Sequence, residues 1–190
     1  MNRLALLGGS FDPIHSGHLH IARRILALRA APLVAFLPNA RHNFKRDKVL
    51  LDFTRRCELV ADALEPGMEL WDDDATGSGY TADLLRRLYL KYPGREFLWV
   101  IGADNLAALP AWHDYDWLRR NVRFLIIPRP GYLPDPAVLK QIRRKTLKIG
   151  HCDISSTLVR ERIARGQSIR GLVPEHLEQR IVNLYRPLLA

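Results

Sequence analysis

The runs FLWVI (residues 97–101) and RFLII (residues 123–127) constrain this chain of 190 residues more than any other feature. Each has the length of a strand and is almost wholly apolar, so neither can turn one face to water. Strands of that kind sit in a parallel sheet with helices on both faces. The rest of the sequence supplies the partners. RLALLG (residues 3–8) reads as a first buried strand, residues 33–37 as a second and residues 68–71 as a short third. Apolar residues at helical spacing predict helices over 18–28, from an N-capping Asp52 to about Leu64, and from a capping Thr81 to about Tyr92, where Pro93 and Gly94 stop it. A short helix is expected at 116–120. Later, helices are expected over 136–145, 155–165 and 174–185, with a short strand at 146–149. The class is α/β, one domain over residues 1–190, because no internal repeat, low-complexity tract or linker divides them.

Composition narrows the functional classes. At 47% hydrophobic and 26% charged residues the chain can bury a core and is not of disordered composition. Its apolar runs fall far short of the ~20 residues of a membrane span. The start, MNRLALLGGSFDP, lacks the apolar stretch and cleavage site of a signal peptide, so the expected location is the cytoplasm. Cys57 and Cys152 are far apart with no CxxC pairing, which points to neither a disulfide scaffold nor a zinc site. Twenty-nine Lys and Arg against 20 Asp and Glu give +9, a balance that suits an acidic partner. The arginines come as scattered pairs (Arg23-Arg24, Arg55-Arg56, Arg86-Arg87, Arg119-Arg120, Arg143-Arg144) and read as solvated helix faces, not as one nucleic-acid-binding run.

In an open parallel sheet, ligands bind beyond the carboxyl ends of the strands. Two segments are suited to that place. GGSFDPIHSGHL (residues 8–19) follows the first strand and enters the first helix. Gly8 and Gly9 let the backbone pass close to a ligand, Ser10 and Phe11 continue the loop, and Asp12-Pro13 turns it. His15 and His18, three apart across the helix start, can face one phosphate cluster beside free helix amides. Neither GxxxxGK[ST] nor GxGxxG is present. No third ligand is suitably spaced, so no metal site is expected. DISSTLVRERI (residues 153–163) is the second segment. There Ile154, Ser155 and Ser156 precede or open a helix, and Arg160 lies one turn on, so amides, hydroxyls and a guanidinium can converge on phosphate oxygens.

GGSFDPIHSGH together with ISSTLVR resembles the two signatures of the HxGH nucleotidyltransferases. GYTADLL (79–85), IGADNLAALPAW (101–112) and IIPRPGY (126–132) further resemble the bacterial nicotinate-nucleotide adenylyltransferase family, in its order and over essentially the whole chain. Where the family usually carries Pro-Pro-His-Lys or Pro-Pro-His-Arg, this chain has PNARHNFK, in which His42 and Lys45 could stand in.

The resemblance implies a Rossmann-like doubly wound sheet with a helical C-terminal segment. It also implies transfer of the adenylyl group of ATP to nicotinate mononucleotide, with release of pyrophosphate. His15 and His18 would donate to the α- and β-phosphates, while Arg160 and the Ser155-Ser156 amides hold the outgoing pyrophosphate. Gly102 and Asp104 would receive the adenosine, the carboxylate accepting from ribose hydroxyls. Trp112 would stack on the nicotinate ring, with Tyr80 and Thr81 at the mouth of the third helix and Arg129 meeting a nucleotide phosphate. Mg²⁺ would arrive on the ATP phosphates. The Asp72-Asp73-Asp74 run reads as a solvated loop. The rivals are a phosphopantetheine adenylyltransferase, which shares both phosphate signatures, an enzyme serving nicotinate and nicotinamide mononucleotides alike, and a non-catalytic nucleotide- or nucleic-acid-binding protein. A homo-oligomer stays open.

Overall fold

The computed structural model describes residues 2–40, 49–129, 131–150 and 152–189. Six strands, β1 (Arg3–Gly9), β2 (Val34–Pro38), β3 (Met68–Leu70), β4 (Glu96–Gly102), β5 (Arg123–Ile127) and β6 (Arg143–Thr146), form one sheet in the order β3-β2-β1-β4-β5-β6. Every neighbouring pair is parallel. The chain winds outward from β1 to β3, returns to the other side of β1 for β4, and winds outward again. The switch point is therefore the crevice beyond the carboxyl ends of β1 and β4.

Strand alternation divides the core into two. Ala5, Leu7, Phe36, Val100 and Leu125 point to one face, where α1 (Ser16–Ala27), α2 (Phe53–Ala63), α6 (Ser156–Ala164) and α7 (Glu178–Leu189) cover them. Leu4, Leu6, Leu37, Trp99 and Phe124 point to the other, under α3 (Thr81–Lys91), α4 (Tyr115–Asn121) and α5 (Pro136–Gln141). This double burial is why the strands are apolar at consecutive positions. Gly8 belongs to the same packing: a Cβ there would stand 2.7 Å from the Trp99 ring, so its missing side chain makes room for the indole.

Several details differ from the sequence reading. Helix α1 starts at Ser16, two residues before the expected His18, with an extended His15 as N-cap. Asp52 is an N-cap as expected, and Ser155, expected as the first helical residue, is an N-cap too; they accept from Arg55 N and Leu158 N at 2.9 and 3.1 Å. The N-cap of α3 is Tyr80, and Thr81 is its first helical residue. Helix α5 ends at Gln141, and the last strand occupies residues 143–146 in place of 146–149. All four residues of that edge strand are exposed, so no apolar pattern marks it; main-chain pairing with β5 forms it. Two charged groups expected in water are buried. Arg56 is 2% exposed and donates to the carbonyls of Leu51, Ser10 and Asn39 at 3.1, 2.6 and 2.9 Å. Asp74, 3% exposed, faces Arg87 at 3.8 Å. Among the described residues no helix is long and apolar enough to cross a membrane.

Candidate active site

The two phosphate-binding segments meet at the switch point. His15 is buried, with 5% of its surface exposed, and its ring stacks on that of His18 with centroids 3.7 Å apart. The glycine between them is a packing requirement. A Cβ on Gly17 would lie 3.0 Å from the His15 ring and 3.2 Å from the carbonyl of Ile154, so the start of α1 can abut the chain entering α6 only without a side chain. Two bonds reinforce the junction: Ser156 Oγ donates to the Pro13 carbonyl at 2.9 Å, and Arg160 Nη1 donates to the Asp12 carbonyl at 2.6 Å. His20 joins from the next turn, its Nε2 2.8 Å from the Ile149 carbonyl.

The imidazoles are held neutral. Burial, then the positive charge of Arg129, pushes His15 down to about 3. His18 lies well below its ordinary value through burial, His15 and Arg129, in that order. The backbone N–H of His15 donates to His18 Nδ1 at 3.3 Å, which places the proton of the neutral ring on Nε2. His18 is thereby set as a donor. Phe11, in left-handed backbone conformation at φ 48°, fixes the other edge of that ring, with centroids 4.8 Å apart, and its own ring fills the space beside Gly9. Ser10 is held through its carbonyl by Arg56.

At the neighbouring strand ends, Arg129 Nε stands 3.2 Å from Asp104 Oδ1. Gly102 lies under this pair, and a Cβ there would collide with the Asp104 carboxylate. The arginine that lowers both histidine pKa values is thus tethered between the imidazoles and a carboxylate expected to meet ribose. On the β3 side, Tyr80 and Thr81 open α3 at the carboxyl-end side of the sheet. Tyr80 stacks on His113, with centroids 4.4 Å apart, and His113 Nε2 lies 3.8 Å from Asp83 Oδ1. Asp83 also accepts from Ser78 Oγ at 2.7 Å and faces Arg86. Trp112 closes a short 3₁₀ turn (Leu109–Ala111) and packs half-buried against the second core.

The structure therefore brings Gly8, Gly9, Ser10, Phe11, His15 and His18 together with Ile154, Ser155, Ser156 and Arg160. Gly102, Asp104 and Arg129 adjoin them, while Tyr80 and Thr81 at the opening of α3 are joined to the Trp112 segment through the Tyr80–His113 stack. The Ser155 and Ser156 hydroxyls are already committed to Leu158 N and Pro13 O, which leaves main-chain amides for an anion. His42 and Lys45 lie outside the described residues. Among the described residues no group of three or more His, Cys, Asp or Glu could hold a metal ion. Sequence reasoning missed His113, whose one signal is adjacency to Trp112, and missed the support that Arg56 gives to the Ser10 carbonyl and the Tyr185 hydroxyl gives to Asp12 Oδ1.

Residues 6–162 match the family model described as cytidylyltransferase-like. A protein of Geobacillus thermodenitrificans named probable nicotinate-nucleotide adenylyltransferase is 36% identical over 92% of this chain and 81% of its own length. One of the same name from Exiguobacterium sibiricum is 35% identical over 96% and 98%. The chain belongs to the nicotinate-nucleotide adenylyltransferase family. Its fold is shared with the nicotinic acid mononucleotide adenylyltransferase of Plasmodium falciparum complexed with NaAD, at a TM-score of 0.82 and 21% identity, with 96% of each chain covered. The matched residues 6–162 include both histidines, the Ser155-Ser156 pair and Arg160 of this family member.

Proposed function

We propose that the chain transfers the adenylyl group of ATP to nicotinate mononucleotide, forming nicotinate adenine dinucleotide and pyrophosphate. The observation that carries this reading is the meeting of two neutral, stacked imidazoles, the Arg160 guanidinium and the opening of α6 at the sheet's switch point. Such a site offers donors to phosphates, and imidazoles whose pKa values lie so far below 6.5 are poor bases. It suits a reaction whose nucleophile is already an anion.

A phosphate oxygen of the mononucleotide attacks the α-phosphorus of ATP, a P–O bond forms in line with the departing bridging oxygen, and the α–β bond breaks. Pyrophosphate leaves with the electron pair, and no proton moves in the step. Catalysis reduces to alignment and stabilisation of the charge spread over the phosphates. His18 donates Nε2–H to the α-phosphate, His15 serves its neighbour, and Arg160 with the α6 amides takes the charge that collects on pyrophosphate. A neutral imidazole gives a hydrogen bond while leaving the substrate's own charges free for Arg160 and Arg129. Mg²⁺ enters as part of the MgATP substrate. Asp104 receives the ribose hydroxyls, which requires Arg129 to leave it, and the freed guanidinium turns to a phosphate.

The net charge of +9 then serves triphosphate capture, and the implied compartment is the cytoplasm. The test is incubation with MgATP and, separately, nicotinate mononucleotide, nicotinamide mononucleotide and phosphopantetheine, with chromatography of the products. The reading expects the nicotinate dinucleotide as the main product. Preferential adenylylation of phosphopantetheine would replace it.

A further inference from the structure

The carboxylate of Asp12 is almost wholly enclosed, 1% exposed, yet takes its donors from two distant parts of the chain. Oδ1 accepts from the Tyr185 hydroxyl at 2.7 Å and from Leu51 N at 3.1 Å, and Oδ2 accepts from Leu50 N at 2.8 Å. Arg160 Nη1 is the next donor in reach: it bonds the main-chain carbonyl of the same residue at 2.6 Å but stands 3.8 Å from Oδ2. Tyr185, at 0% exposure, comes from α7, the last helix, 173 residues away in sequence.

We infer that Tyr185 is a positioning residue for adenylyl transfer, its hydroxyl saturating Asp12 so that Arg160 stays extended toward the phosphates. The inference rests on the assignment of Arg160 to pyrophosphate made above. A buried carboxylate oxygen that loses a donor must find another, because leaving it short is costly. Leu50 and Leu51 are main-chain donors fixed by their place before α2. Arg160 is a side chain on a flexible stem, already bonded to the same residue and within a small rotation of the carboxylate. Without the phenol, Asp12 draws the guanidinium inward to a charge-assisted pair. The C-terminal helix thus acts on the phosphate site through one hydroxyl, with no contact of its own to substrate.

The experiment is a double-mutant cycle on Tyr185→Phe and Arg160→Ala, reading kcat, KM for each substrate, and the affinity for pyrophosphate alone by calorimetry. Tyr185→Phe is expected to lower kcat and pyrophosphate affinity by about tenfold each, the scale of a hydrogen bond to a charged group, with KM for nicotinate mononucleotide unchanged. In the Arg160→Ala background the same substitution is expected to do nothing further to either quantity. Equal fractional losses in both backgrounds, or a Tyr185→Phe enzyme with full kcat and pyrophosphate affinity, would overturn the inference. Tyr185→Met is carried in parallel; failure of both variants to fold would make Tyr185 a packing residue and overturn it too. Absence of dinucleotide formation by the unmodified enzyme would instead defeat the reaction assignment, while pyrophosphate affinity would still report on Tyr185.

Discussion

The imidazoles of His15 and His18 stack at 3.7 Å between ring centroids, and the first donates its backbone N–H to Nδ1 of the second. Two protonated rings could not share that spacing without strong repulsion, and burial beside Arg129 disfavours a proton on either one.

Replacing either histidine by Ala is expected to cut kcat by roughly 10²-fold or more, the scale of removing one preorganised donor from a developing charge. The thermal midpoint should move little for His15, whose Nδ1 is buried without a hydrogen-bond partner, and more for His18, whose Nδ1 accepts from His15 N at 3.3 Å. Steady-state kinetics beside thermal melts checks both. An active variant, or one that merely unfolds, would take the histidines out of the catalytic role.

Stability should fall on mild acidification. His15 is neutral in the folded chain down to about 3, while the unfolded chain takes up its proton near 6.5. Between those values the unfolded state binds more protons, so stability is full above pH 6.5 and is lost as pH drops toward 3. The slope approaches about 1.4 kcal/mol per pH unit for one such imidazole. Urea midpoints of the parent and of His15→Asn at pH 7 and pH 5 test this, the variant losing less. Parallel losses would contradict the buried neutral state.

Gly8→Ala should destabilise by about 1–3 kcal/mol, as overpacking does, because its Cβ would press on Trp99, itself only 6% exposed. Denaturant melts measure it. The finding adds a reason for the glycine pair beyond the ligand approach expected from the sequence: Gly8 and Gly9 give their space to the Trp99 and Phe11 rings.

That difference illustrates what was legible. The doubly buried strands, the Asp52 cap and the two phosphate segments are local patterns, each readable from a few consecutive residues. Arg56 and Asp74 are buried because partners from other elements satisfy them, and nothing in the residues around them announces those partners. The edge strand Arg143–Thr146 carries no apolar residue, so its state follows from β5 alone. The Asp12–Tyr185 bond joins positions 173 apart and has no sequence signature.

Discrimination between nicotinate and nicotinamide mononucleotides should lie at the opening of α3. The first amides of a helix lack intrahelical partners and favour an anion. The negative charge of Asp83 in that turn is engaged by Ser78, Arg86 and His113, which lessens its repulsion of a carboxylate. A preference of at least roughly tenfold in kcat/KM for nicotinate is expected, equivalent to about 1.4 kcal/mol. Trp112→Ala should weaken both acceptors and leave their ratio nearly unchanged, because a ring face does not sense the carboxylate directly. A ratio near one in the parent enzyme would assign dual specificity.

Direct attack of one nucleotide phosphate on another, with no enzyme nucleophile, is the central claim. It is tested by turnover of nicotinate mononucleotide with ATP carrying a chiral thiophosphate at the α position. A single in-line displacement predicts dinucleotide of inverted configuration at that phosphorus. Retention, the mark of two successive displacements through a covalent adenylyl-enzyme, would contradict it.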